Sequence, residues 1–536
     1  MRPLSTPCVC SMNASRGSVV RAVGGRFRVL GAGLATAALL VGGVVPAAAT
    51  TTAARDANGT LHYGVAFSSF SGSLDPAAST SVCDSIALQF IYDGLIRNVN
   101  GAPAPGLASS WKLAGRTFTL TLRQGVKFQD GTPLDAAAVK KGLEHNMQGV
   151  QTHDGLAIIS SIDVVDDHTV RLNLNTDTGA TLPYVLSGRE GMIVAPNTLA
   201  KGDAGTAGVG AGPYSLIDYT VGGRLRVKKA TTYFDKKGQP FGEIDFVQAD
   251  SGGPGVTALL AGDIDVFRPD AEQYAALQGK PDVGVDLVPS LSYLQLQLNA
   301  SRPPFDKLKV RQAVNYAIDR NELNRLVLGG KGVIAWMPWP KGTQYHNPSV
   351  AQRYPHNIKK AKQLLKAAGY PKGFQFEMVV PNGAGFIDRQ GQVLQQQLEK
   401  VGIRTKITKR DSNDVVPTFY EAHQGDAFAA LRVGDPSPTG DIYEQWGKDQ
   451  QVARWLHADR PDITRLMMDA QSSVDPKQIV KDVRTAEKII VDNALDVEVA
   501  FLPQLVAWSK SRLGGTPNAP TQPCLPIDLS HTFVKK

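Results

Sequence analysis

The side chains able to attack a substrate or hold a metal are present, but their spacing assembles no reaction centre. The sequence has nine histidines and four cysteines. It lacks a G-x-S-x-G elbow, an H-E-x-x-H pair, a Walker loop and a paired C-x-x-C. His145 and His153 read as solvated surface, not as a metal pair. Gly208, Gly210 and Gly212 alternate in a way that suggests a phosphate loop. However, no Lys-Ser/Thr follows, and Pro213-Tyr214-Ser215-Leu216 continues as a strand where a phosphate loop would open a helix. The residues therefore give an enzyme reading little support, and a secreted hydrolase is the alternative from another class.

Charge excludes a second class. The formal charge is +8, but residues 1–49 hold five arginines and no acid. The remaining 487 residues carry 52 basic and 49 acidic side chains, or +3, which is no footprint for a polyanion such as nucleic acid. Arg16, Arg21, Arg26 and Arg28 precede an uncharged run from Val29 to Val45, and Ala47-Ala48-Ala49 follows Pro46. That order is a secretory signal peptide. A membrane anchor is the competing reading, but the run is short and rich in Gly and Ala, which favours cleavage after Ala49. No Cys follows the run, so the site for lipid attachment is missing. Beyond the leader only Cys83 and Cys524 remain, either as a disulfide in an oxidising compartment or as two unpaired thiols.

With 536 residues, two or three domains are expected. Phe118, Leu120 and Leu122 alternate with polar residues as a strand. Gly125 and Asp130-Gly131 supply turns, and Asp135 caps a helix whose stripe includes Val139 and Leu143. Further strands are expected over 61–67, 162–174 and 293–299, and a helix over 81–94. Residues 200–212 read as loose. Val310, Val314, Ala317 and Ile318 make a helical stripe, and Asp319 with Glu322 caps the next helix, which Gly329-Gly330 ends. From 358 to 433 helices and strands alternate (helices 358–368, 388–401 and 412–423; strands 374–380, 403–407 and 428–433). This pattern predicts a parallel sheet that binds ligand at its carboxyl ends. The last strand runs into Gly434-Asp435-Pro436-Ser437-Pro438, which cannot continue a ladder.

Arg123, Gly125, Val126, Phe128, Asp130, Gly131, Pro133 and Leu134 resemble the R-x-G-V-x-F-x-D-G-x-P-L signature of the large extracytoplasmic solute-binding proteins of ABC importers, family 5. That class carries oligopeptides, dipeptides and nickel. Leu74-Asp75-Pro76, Tyr92-Asp93-Gly94-Leu95, the run Pro105 to Trp111 and the run Pro304 to Arg320 are similar to its other motifs, in the same order. The resemblance spans about residues 60–515. It implies an α/β, two-lobed periplasmic-binding-protein-like fold (type II, cluster C) with an extra small α/β domain and a hinge between the lobes. It further implies a signal peptide over 1–49 and a discontinuous lobe I from 50–92, 209–304 and 501–536. The extra domain would span 93–208 and lobe II 305–500. Both chain ends would lie in one lobe, which implies that Cys83 and Cys524 are joined.

The implied function is capture of a peptide or peptide-like solute outside the cytoplasmic membrane and delivery to a permease. The same fold binding a sugar, opine or nickel chelate is the alternative. The implied partners are a small-molecule solute and the transmembrane permease subunits. The chain would act as an exported monomer without cofactor, metal or nucleic acid. In peptide-binding members two extended segments pair with the ligand backbone. By position these are Thr80-Ser81-Val82 and Ala430-Leu431-Arg432, with Phe501 on the closing strand. Asp435 stands one residue beyond the position of the usual amine-binding Asp, and Leu431 where Trp is common. Both departures weaken a peptide reading, and Arg432 suits a carboxylate or hydroxyl-rich solute.

Overall fold

The computed structural model describes residues 54–67, 70, 72–79, 81–99, 102–150, 152–177, 179–381, 385–410, 424–434, 437, 439–447, 460–473, 475–520 and 526–536. The leader, Thr80, Asp435, Cys524 and the helix expected over 412–423 lie outside these residues.

Two long antiparallel strands, Val283–Leu298 and Asp496–Ser509, run through the middle of an eleven-stranded mixed sheet. The second is buried along its whole length. On one flank lie Val266–Phe267, Thr60–Val65, Glu243–Gln248, Arg224–Lys229 and Tyr214–Thr220, in that order. On the other lie Ala427–Arg432, Gln375–Pro381 and Arg404–Arg410. Gln375–Pro381 is parallel to both of its neighbours, as the helix–strand alternation predicts. Helices Leu308–Ala317, Arg320–Leu328, Ile358–Ala367 and Gly385–Glu399 cover one face of this flank. Their stripes join Leu294, Leu296 and Leu298 in one apolar core. Helices Gly440–Trp446, Pro461–Ser472 and Pro476–Asp492 cover the opposite face around Trp446 and Trp339. The other flank has its own core around Tyr63, Phe246 and Tyr214.

The signature stretch builds a third core, drawn from residues between Leu95 and Ala211. Thr117–Leu122 lies inside a four-stranded sheet, with Phe118, Leu120 and Leu122 buried. Gly125 and Gly131 take φ of +72° and +86°, where a side chain would be strained. Asp135 accepts from the Ala138 amide at 2.8 Å and caps Ala136–Asn146. Gln129, between the two glycines, does something the sequence did not reveal. Its Nε2 donates to the carbonyls of Ile91 (2.8 Å) and Tyr214 (2.7 Å), and its Oε1 accepts from the Gly210 amide (2.9 Å). One amide thus ties the chain leaving the large sheet to the chain returning to it.

Local differences have local causes. Instead of one helix over 81–94, a 3-10 turn (Val82–Asp84) leads into Ser85–Ile91, and Tyr92 turns extended to end it. The segment read as loose contains Pro196–Lys201 and Ala204–Ala207, each stopped by a glycine in the left-handed region. His145 is not a free surface residue: its Nε2 lies 2.9 Å from Asp75 of the L-D-P motif.

Asp265 (1% exposed) fastens three distant segments. Its carboxylate accepts from the His62 amide (2.9 Å), meets His62 Nδ1 (3.2 Å) and pairs with Arg512 Nε (3.1 Å). The bond from Asp265 raises the His62 pKa above 6.5. Burial pushes Asp265 up, but the bonds from His62 and the Arg512 charge outweigh it and hold the carboxyl below 3.8. The His62 contribution to stability is therefore complete below the unfolded value and lost as pH rises through the folded one. The Asp265 contribution is present above its unfolded value and fades in acid. Comparing melting temperatures, His62→Gln should lose most against wild type near about pH 5.5 and least near about pH 8.5; a gap independent of pH would contradict this. Gln129→Ala strands buried carbonyls and should cost about 1–3 kcal/mol in urea unfolding. A variant as stable as wild type would show that Gln129 is not a fastening.

Candidate functional site

The carboxyl ends of parallel strands are where amide and carbonyl groups run out of ladder partners, so ligands collect there. Strands Thr60–Val65 and Glu243–Gln248 are parallel and end together. Tyr63 to Ala66, with Ala249 and Ser251, form one wall of a cleft of about 610 Å³. The opposite wall comes from the other flank. It consists of Val327 and Leu328 at the end of their helix, Phe386 and Arg389 in the first turns of Gly385–Glu399, and Leu431 at the end of Ala427–Arg432. Leu502, Pro503 and Gln504 of the long strand Asp496–Ser509 line it between the walls. Volume and mixed lining suit a small organic solute.

The charged groups of the cleft are Arg268, Asp270, Glu272 and Arg389, with the Gln504 amide beside them. Arg268 Nη2 donates to Gln504 Oε1 at 2.6 Å, and burial depresses the guanidinium pKa. Arg389 pairs with Glu272 across the cleft. Both carboxylates and both guanidiniums line one space, an arrangement that can meet a zwitterion. Sequence reasoning missed all five, because none sits in a local motif. Among the described residues, no group of three His, Cys, Asp or Glu is placed to hold a metal ion.

Of the residues singled out from sequence, Leu431 lines the cleft, as does Cys83. The ladder from Ala427–Arg432 to Gln375–Pro381 is registered only at Ala427 and Phe428. Ala430 and Leu431 are laddered to Val283–Leu298 on their other side. Arg432 faces away from the cleft. It is buried beneath Gly440–Trp446 and bonded to Glu444 at 2.6 Å. Phe501 is buried against Tyr293, ring centres 5.5 Å apart, and Tyr293 Oη accepts from Gln445. Asp496 lies on the same side, and burial beside Glu498 raises its carboxyl well above the usual range.

Ser81 belongs to a turn in this structure, not to an extended edge. Asp84 accepts from Ser79 Oγ (2.5 Å), and Ser81 Oγ accepts from the Cys83 amide (3.1 Å). The buried guanidinium of Arg189 gathers Ser79 Oγ (2.7 Å) and the Ser81 carbonyl (3.1 Å). Cys83 is disulfide-bonded.

These features match known proteins. The family profile described as bacterial extracellular solute-binding proteins, family 5 Middle, covers residues 102–453. A glutathione-binding protein GsiB of Salmonella paratyphi A is 31% identical over 351 residues, covering 63% of this chain and 67% of its own. The GsiB of Pectobacterium atrosepticum is 30% identical over 393 residues, covering 70% and 73%. Among solved structures, AgaA of A. tumefaciens R10 in complex with agropinic acid superposes with a TM-score of 0.69. It is 26% identical and covers 89% of this chain and 99% of its own. NikA of Brucella suis in complex with Fe(III)-EDTA superposes with 0.78 at 21% identity, covering 90% and 100%. The chain belongs to the bacterial extracellular solute-binding proteins, family 5.

Proposed function

We propose that the protein captures a peptide or peptide-like small solute outside the cytoplasmic membrane and delivers it to the permease of an ABC transporter, acting as a monomer and without catalysis. The observation that carries this reading is the cleft of about 610 Å³ between two separately cored flanks of one sheet. The flanks are the two lobes, joined by Val283–Leu298 and Asp496–Ser509, and the residues around 93–208 form the extra domain. The register of the joining strands slips between Pro289 and Tyr293, which is where a hinge would bend. Ala430 and Leu431 offer backbone to an extended ligand, and the mixed charges of the cleft suit its termini. The relatives' names support a peptide-like solute: glutathione in one case, and the dipeptide Met-Leu in a structural neighbour. Arg268 and Arg389 favour a second reading, in which the solute is a non-peptide carboxylate, the class to which agropinic acid belongs. The basic leader supports export and cleavage after Ala49, and Cys83 would be paired with Cys524.

Native mass spectrometry of the purified protein should reveal a co-purifying solute of this size class, and calorimetry gives its affinity. Leu431→Asp places a charge against the apolar wall and should weaken binding at least about tenfold; unchanged affinity would move the site elsewhere. Thiol titration of the unreduced exported protein should find no free thiol. A Cys83–Cys524 loop this long is worth about 4 kcal/mol in the chain-entropy view, so reduction should lower the unfolding midpoint. Two free thiols would exclude the pairing.

A further inference from the structure

A short strap, residues 271–277, lies at the cleft and touches both lobes. It consists of a 3-10 turn, Ala271–Gln273, and one helical turn, Tyr274–Leu277. Leu277, fully buried with Phe267, Val283 and Ala507, anchors it on the first lobe. Two of its side chains, Glu272 and Tyr274, reach across. Glu272 pairs with Arg389 of the helix Gly385–Glu399. Two residues on, the Tyr274 ring lies 4.3 Å from Lys331 Nζ, just past the Gly329-Gly330 turn that closes Arg320–Leu328. Two elements of the second lobe thus hold two residues of one short strap. Each contact joins a group of the first lobe to a group of the second, so both belong to the arrangement in which the lobes are together.

We propose that this strap is an electrostatic latch that sets the closed population of the solute-free protein, and through it the apparent affinity for solute. The argument is one of magnitude. Glu272 and Arg389 are nearly half exposed, so their pair is weak and screened by salt. The open and closed states of a hinged protein differ by only a few kcal/mol, so a pair of this strength is enough to shift their ratio. Removing it changes the closed-to-open ratio about two- to fivefold, and solute affinity follows because only the competent state binds. The latch rests on the two-lobed fold and not on which solute is carried, so its failure and that of the functional reading are distinguishable.

The test uses the solute-free full mature chain, with bound solute removed by partial unfolding and refolding. Small-angle scattering measures the radius of gyration in about 0.02 M and about 0.5 M salt. Wild type should expand in high salt. Glu272→Arg, which sets two cations face to face, should be expanded already in low salt, and Glu272→Arg with Arg389→Glu should return to the wild-type value. Lys331→Gln should expand modestly at both salts. Melting curves confirm that each exposed substitution leaves the fold intact; should Glu272→Arg melt early, Arg389→Gln replaces it with the same expected expansion. If the single charge reversal scatters as wild type does, or the double reversal stays expanded, the latch is refuted.

Discussion

Pro289 stands opposite Pro503 where the two long strands pass from one lobe to the other. A proline has no amide hydrogen, so this pair has no N–H to bridge the strands. The register then slips over residues 290–292 and resumes with Tyr293 opposite Phe501. Ser290 and Ser292 bond to each other locally: the Ser292 amide donates to Ser290 Oγ, and Ser290 Oγ donates to the Ser292 carbonyl, both at 3.1 Å. A sheet this broad would otherwise be a stiff plate. The break in its central rung falls between two separately packed cores, and Leu502, Pro503 and Gln504 line the cleft beside it.

Much of the scaffold was legible because its determinants are local. Gly125, Gly131 and Asp135 act within a few residues of themselves, and the sequence shows what each does. The capping of Arg320–Leu328 by Asp319, through the Glu322 amide at 3.0 Å, is equally local. What sequence could not show is why the signature stretch contains a glutamine. Gln129 bonds to partners 38, 81 and 85 residues away, and no window around it contains them.

The site was less legible for the same reason. Its walls come from strand ends and helix ends separated by hundreds of residues, and only Leu431 and Cys83 stood among those singled out. Arg432 shows how the alternation of a strand misleads at its end. Its neighbour Leu431 faces the cleft, so Arg432 is turned to the other face, where Glu444 comes from a helix twelve residues on. Arg268 carried no signal at all: it follows the short strand Val266–Phe267, and only the fold brings Gln504 to it.

Asp265 joins residue 62 to residue 512, and Arg55–Asp56 pairs with Thr532–Lys535 at the far end of the chain. The first lobe therefore cannot be completed until nearly the last residue is available, whatever the rest of the chain has done. Chains with such distant pairings fold slowly, since loop closure precedes the contacts that reward it. The first strand of that lobe waits for its closing partners until nearly the whole chain is present, while the residues between Leu95 and Ala211 already hold a core of their own.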